Sequence, residues 1–226
     1  MKAKICIPIP ARTQSEAVGL LRKAGASDAD LAEVRFDYAQ EELQPRLLTR
    51  ATGLPLVATH RLRREGGLFA GNEEERLETL LHAAEAGFQY VDLELSTPNL
   101  RPLVERFTAL GVRVMTSHHD LVSTPPLAEM RELVKRMEEA GASVCKLITT
   151  AEGVADNLTC LGLVSEVAER TPIVCFAMGD KGLVSRALSP LFGAFCTYAS
   201  IEEGMETAPG QVTIAQLRRI HGLLGG

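Results

Sequence analysis

Tryptophan is absent from this chain and aromatics are scarce, seven Phe and three Tyr among 226 residues. That leaves no aromatic platform for stacking bases. Lys and Arg are spread along the sequence rather than gathered in a basic stripe, and the net charge is a modest -5, so nucleic acid is not an expected partner. No run of about 18 apolar residues occurs, which excludes a membrane-spanning helix. The stretch Ile5 to Ile9 behind Met1-Lys2-Ala3-Lys4 is too short for a secretory leader. A soluble, cytoplasmic protein with no membrane partner is expected. Cysteines number five, an odd count without CxxC spacing, and Cys6, Cys145, Cys175 and Cys196 stand in apolar strand-like runs. All five read as reduced residues of core or helix.

The chain does have enough apolar residues, 46% of the total, to bury one large core. Short β-branched runs begin near residues 4, 31, 55, 90, 112, 143, 171 and 192. Each precedes a stretch of helical period: Ser15 to Ala24, Glu42 to Ala51, Glu73 to Ala86, Leu100 to Leu110, Leu127 to Ala140, Val154 to Glu169, Leu183 to Leu188 and Ile214 to Leu224. Several of these stretches end on a glycine, namely Gly25, Gly53, Gly87, Gly111 and Gly141. Alternating β and α segments imply a parallel sheet, and eight units in this length imply one closed (β/α)8 TIM barrel over residues 1–226. An open doubly wound sheet is the alternative.

Lys146 interrupts the run Val144, Cys145, Lys146, Leu147, Ile148, which otherwise reads as a strand buried on both faces. A buried ammonium must be paired or neutral. One reading is a structural ion pair; the other is an imine-forming amine whose pKa is lowered by burial and by facing cations such as Arg61 and Arg35. Strand parity puts Glu33, Arg35 and Asp37 on one face against Val34 and Phe36, and Asp92 and Glu94 against Val91, Leu93 and Leu95. In the fifth strand Arg113, Ser117 and His119 oppose Val112 and Val114, so His119 rather than His118 is expected to point into the barrel. Arg61 falls on the face of Thr59. Charge concentrated at the C-terminal ends of barrel strands suits a catalytic face.

Lys146 and His119 on one rim suggest ketone chemistry, in which an imine acidifies an α-proton and an imidazole removes it. Glu65, in Arg64-Glu65-Gly66-Gly67, reads either as a solvated loop acid or as the carboxylate that orients His119. A metal site is disfavoured because His118 and His119 face opposite ways and no HxxxH spacing occurs. The loop Met178-Gly179-Asp180-Lys181-Gly182 has the look of a phosphate loop, which leaves a phosphate-gripping class I aldolase open as a rival. A catalytically idle barrel that senses metabolites is the non-enzymatic alternative.

Seven segments together, AEVRFDY (32–38), THRLRREGG (59–67), YVDLEL (90–95), MTSHHDLVSTP (115–125), VCKL (144–147), FAMGDKGLVSR (176–186) and TAPGQ (207–211), resemble the type I 3-dehydroquinate dehydratases of the shikimate pathway. The resemblance implies a barrel enzyme that dehydrates 3-dehydroquinate to 3-dehydroshikimate, a homodimer, and no metal or organic cofactor. It implies that Lys146 forms the imine, His119 moves the proton and Glu65 orients His119. By the same resemblance Glu33, Arg35 and Arg61 hold ring hydroxyls, Arg186 binds the substrate carboxylate, Met178 lines the pocket, and Thr207 and Gln211 belong to a lid. Taken alone, Arg186 could be a helix-surface residue and Met178 core packing. Thr207 stands where the family commonly has serine; it keeps the hydroxyl and adds a methyl group.

Overall fold

A computed structural model of the chain describes residues 3–225. Met1 and Lys2, with which the N-terminal stretch begins, and Gly226, the end of the expected domain, lie outside the described residues. The chain runs β1 (Ile5–Ile9), α1 (Gln14–Gly25), β2 (Leu31–Arg35), α2 (Pro45–Thr49), β3 (Leu56–Thr59), α3 (Glu73–Glu85), β4 (Tyr90–Glu94) and α4 (Leu100–Ala109). It continues through β5 (Arg113–His119), α5 (Leu127–Glu139), β6 (Val144–Thr150), α6 (Asp156–Val167), β7 (Ile173–Met178), α7 (Leu183–Leu188), β8 (Thr197–Tyr198) and α8 (Ile214–Leu223). The strands pair in parallel in the order β7-β6-β5-β4-β3-β2-β1-β8. The barrel is nearly closed: at the seam Phe195 N–H donates to Ile173 O at 2.7 Å, just before the two-residue β8. No helix among the described residues is long and apolar enough to cross a membrane.

Three boundaries differ from the sequence reading for identifiable reasons. The second helix was expected from Glu42 but starts at Pro45, because proline suits the first helical position and holds Gln44 extended. The eighth strand was expected near residue 192, where a short 3-10 turn, Ser189–Phe192, opens with Pro190 at its second position and closes on Gly193 at φ 102. Gly87, Gly111 and Gly141 take the left-handed conformation just past their helices, whereas Gly25 is the last residue of α1 and Gly53 keeps a negative φ. All five cysteines are buried free thiols, Cys160 on α6.

Parity divides the strands as the two faces of a barrel require. Ile5, Ile7, Ile9, Val34, Val91, Leu93 and Val114 pack outward against α1, α3 and α4, and Cys145, Leu147 and Cys175 pack against α5 and α6. The lumen is apolar at its lower end, with Cys6, Leu31, Val57, Tyr90, Met115, Val144, Val174 and Cys196. Above that layer the inward positions become Glu33, Thr59, Asp92, Ser117 and Lys146, held in register by the pairs Thr59↔Asp92 and Ser117↔Lys146. One end of the core is thus packed for stability and the other filled with charge.

Candidate active site

Lys146 sits mid-β6, 4% exposed, with its Nζ donating to Glu33 Oε1 and Asp92 Oδ2, each at 3.0 Å. The Tyr198 ring lies 4.6 Å from the same nitrogen. Burial drives the amine downward in pKa, but Asp92 and Glu33 together outweigh it and raise the value above that of an ordinary lysine. The expected depression is therefore corrected: the resting Lys146 is an ammonium in an ion-pair cage. Arg61 acts downward as anticipated, without enough weight to reverse the balance.

Arg61 lies two residues past β3, where the turn to Phe69 is closed by Gly67; any Cβ there would collide with the Arg61 backbone. Its guanidinium donates to Asp92 Oδ2 at 2.6 Å and Ser117 Oγ at 2.7 Å, and stands 3.1 Å from Glu94. Burial pushes Asp92 upward, but Arg61 and Lys146 prevail and hold it far below the carboxylate range. Arg35 forks onto Asp37 at 2.7 and 2.8 Å, while Glu33 also accepts from Thr59 Oγ1 at 2.9 Å.

His119 closes β5 with Nδ1 3.3 Å from Glu65 Oε2, whereas His118 faces the charges of α5, Glu129 and Arg136. Burial, then Arg61 and Lys146, push the His119 imidazole well below its ordinary value, so it is neutral at neutral pH. Burial lifts Glu65 to about 7 against the pull of Arg61, and Ser96 Oγ donates to its other oxygen at 3.0 Å. Glu65 is thus buried rather than a solvated loop acid, and Gly66 at φ 80 turns the chain behind it.

Arg186, on α7, is 1% exposed and is no surface residue. It lies against the Phe176 ring at 4.4 Å and donates to Pro209 O at 3.1 Å, its Nε has no partner, and among the described residues no carboxylate pairs with it. Burial lowers it to about 9. Pro209 O also accepts from Gly179 N, and Gly210 at φ 73 packs where a side chain would strike the Gly179 carbonyl. Thr207 N donates to Gln211 Oε1 at 2.8 Å, tying that loop to itself.

Glu33, Arg35, Arg61, Glu65, His119, Lys146, Met178, Arg186, Thr207 and Gln211 all border one cavity of about 270 Å³. A wider cleft of about 690 Å³ outside the barrel, beside α2 and α3, holds none of them. Tyr198 and Phe176, which also border the cavity, were not anticipated; Ile148 was recoverable, because it shares the parity of Lys146. Asp92 was placed on the inward face by parity, but nothing in its spacing linked it to Lys146. Among the described residues no group of three or more His, Cys, Asp or Glu is placed to hold a metal ion.

The type I 3-dehydroquinase family model matches residues 5–226. A 3-dehydroquinate dehydratase of Desulfotalea psychrophila is 39% identical over 226 residues, covering 96% of each chain. One from Dehalococcoides mccartyi is 38% identical over 217 residues, covering 96% of this chain and 94% of that one. The crystal structure of 3-dehydroquinate dehydratase from Geobacillus kaustophilus superposes with a TM-score of 0.91 at 23% identity, over 100% of this chain and 92% of that one, a likeness of fold. Matched along almost its whole length in sequence and in barrel architecture, the chain belongs to the type I 3-dehydroquinase family.

Proposed function

We propose that the chain dehydrates 3-dehydroquinate to 3-dehydroshikimate through an imine on Lys146, with His119 as base and acid. One observation carries the reading: a buried amine caged by two carboxylates shares a small cavity with a buried arginine that, among the described residues, lacks an anionic partner. A ketone and a carboxylate on one molecule answer both groups.

In the proposed reaction the substrate carboxylate meets Arg186 and the ring hydroxyls meet Glu33, Arg35 and Arg61. Met178 lines the pocket, and Thr207 and Gln211 close it. Lys146 is an ammonium at rest, so it must release a proton before attacking C3; neutral His119 is the acceptor, with Glu65 orienting its ring. The amine adds to the ketone, and His119 returns the proton to the carbinolamine hydroxyl, which leaves as water to give a protonated imine and a neutral imidazole. That cation occupies the place of the ammonium between Glu33 and Asp92, in a preorganised field. The imine supplies the electron sink that the elimination needs. His119 then takes the C2 proton, the C1 hydroxyl departs as water with a proton from the His119 ring, and a second water hydrolyses the product imine to restore Lys146.

The family resemblance further supports a homodimer and a cytoplasmic place in the shikimate pathway; light scattering after size exclusion checks the former. The deciding experiment adds 3-dehydroquinate to the purified protein and follows the ultraviolet absorbance of the conjugated enone. No absorbance change overturns the proposal.

A further inference from the structure

Arg76 belongs to α3, in the outer layer, yet its side chain is wholly buried. Its Nε and Nη2 fork onto Glu73 at 3.0 and 2.6 Å, and Nη2 also donates to Thr97 Oγ1 at 3.0 Å. Its Nη1 donates to Glu94 Oε2 at 2.6 Å. The other oxygen of Glu94 accepts from Leu62 N at 3.3 Å and lies 3.1 Å from Arg61 Nη1. Arg61 passes the chain to Asp92, and Asp92 to Lys146. A buried line of alternating charge therefore runs Arg76, Glu94, Arg61, Asp92, Lys146, from an outer helix to the amine.

Helix and strand need no such line to pack, since α1 and β1 meet through Ala17, Leu21, Ile5 and Ile7. Buried ion pairs rarely improve stability over apolar contacts of similar volume. Neither Arg76 nor Glu94 borders the cavity, so neither touches a ligand there. What they do touch is Arg61, which does.

We propose that Arg76 and Glu94 are positioning residues for the reaction, Arg76 fixing Glu94 and Glu94 holding Arg61 across Asp92 beside Lys146 and the His119–Glu65 pair. The inference rests on the functional reading above. The charged groups facing that pair are Arg35 from β2, Arg61 after β3, Asp92 and Glu94 from β4, and Lys146 from β6. Glu94 pushes Glu65 upward and Arg61 pulls it down. Neutralising Glu94 removes that upward push, whereas removing Arg76 takes away the cation bonded to Glu94, so the two changes should move the titration of the His119–Glu65 pair in opposite directions.

The test titrates the His119 ring by NMR in the resting protein and measures kcat/KM on 3-dehydroquinate for Arg76→Met, Arg76→Lys, Glu94→Gln and the Arg76→Met/Glu94→Gln double variant. Glu94→Gln should lower the apparent pKa of the pair by about half a unit or more and Arg76→Met raise it by a similar amount, with the double variant near wild type. Folded Arg76→Met should lose at least about 10-fold in kcat/KM, most of which Arg76→Lys restores. Wild-type titration and kcat/KM in folded Arg76→Met, or shifts of the same sign in the two single variants, overturns the proposal. Should Arg76→Met not fold, an unmoved titration in Glu94→Gln overturns it equally. Wild-type protein inert toward 3-dehydroquinate, with the opposed NMR shifts present, overturns the functional reading and not the network.

Discussion

Replacing Arg186 by methionine should make the resting protein more stable and the enzyme worse. The guanidinium is buried, its Nε is unpartnered, and its polar company is the Pro209 carbonyl together with the Phe176 face. The fall to about 9 from the ordinary guanidinium value corresponds to roughly 5 kcal/mol of uncompensated burial. Because the folded-state pKa is depressed, the unfolded chain holds the proton more tightly. The penalty is therefore complete below about pH 9 and is relieved only as pH climbs toward the unfolded value. At neutral pH the whole cost is present, and Arg186→Met removes it. Methionine is smaller and leaves some space unfilled, which returns part of the gain, so a net of about 1 kcal/mol is expected, or a Tm rise of about 2 to 4 °C at this chain length. Binding moves the other way. A lost charge-assisted pair worth about 2 to 3 kcal/mol raises KM by roughly 10². Thermal unfolding and initial rates from the enone absorbance measure both. An unchanged KM with a lowered Tm would make Arg186 a structural residue and refute the reasoning.

Borohydride added during turnover should fix a ligand on Lys146, read as a mass increase on the peptide carrying VCKL; an adduct on another lysine removes Lys146 from the reaction. His119→Ala should still trap such an adduct while turnover falls by about 10² to 10⁴, and His118→Ala, which alters a side chain facing α5, should cost little. The reverse pattern moves the base to His118. The His119–Glu65 pair gains a proton as pH falls through about 7, where Glu65 titrates, so kcat/KM should decline below that pH and be level just above it. Glu65→Gln should carry the acid limb to lower pH, toward the depressed value of the imidazole itself; a limb that stays in place means another group titrates there.

Parity made the inward faces legible. Glu33, Asp92, Ser117 and His119 were assigned to the lumen from alternation alone, because a one-residue slip would have turned Val34, Val91 and Val114 inward and put the charged side chains under the helices. The ionisation of Lys146 was not legible. Its partners Glu33 and Asp92 stand 113 and 54 residues away along the chain, and local sequence reports burial without reporting what is buried alongside. Arg186 failed locally for a related reason. A six-residue helix offers too few turns for its buried face to be read, and Arg186 is covered by groups distant in sequence, Phe176 on β7 and Pro209 in the last loop. Helical period puts Arg76 on one face with Leu80 and Ala83, but the run Glu73, Glu74, Glu75, Arg76 does not report that Glu94, eighteen residues on, lies beneath it as a partner.

The ionic layer over an apolar barrel core would be a poor bargain for stability alone. Its arrangement suits a reaction in which the cation on one nitrogen persists. At rest Glu33 and Asp92 face an ammonium; in the proposed intermediate they face an iminium carrying the same charge at the same atom, so the carboxylates and Arg61 need not reorganise between states. Charge in this layer is matched pair by pair once Arg76 is counted: Arg35 with Asp37, Arg61 with Asp92, Arg76 with Glu94, and Lys146 with Glu33. Arg186 stands apart from that matching. A ligand bringing one carboxylate restores it, whereas a doubly charged phosphate would bring one negative charge too many into a cavity where the remaining cations are already engaged. The electrostatics of the cavity thus favour a monoanionic ketone over the phosphorylated substrates that the glycine-rich loop Met178–Gly182 first suggested.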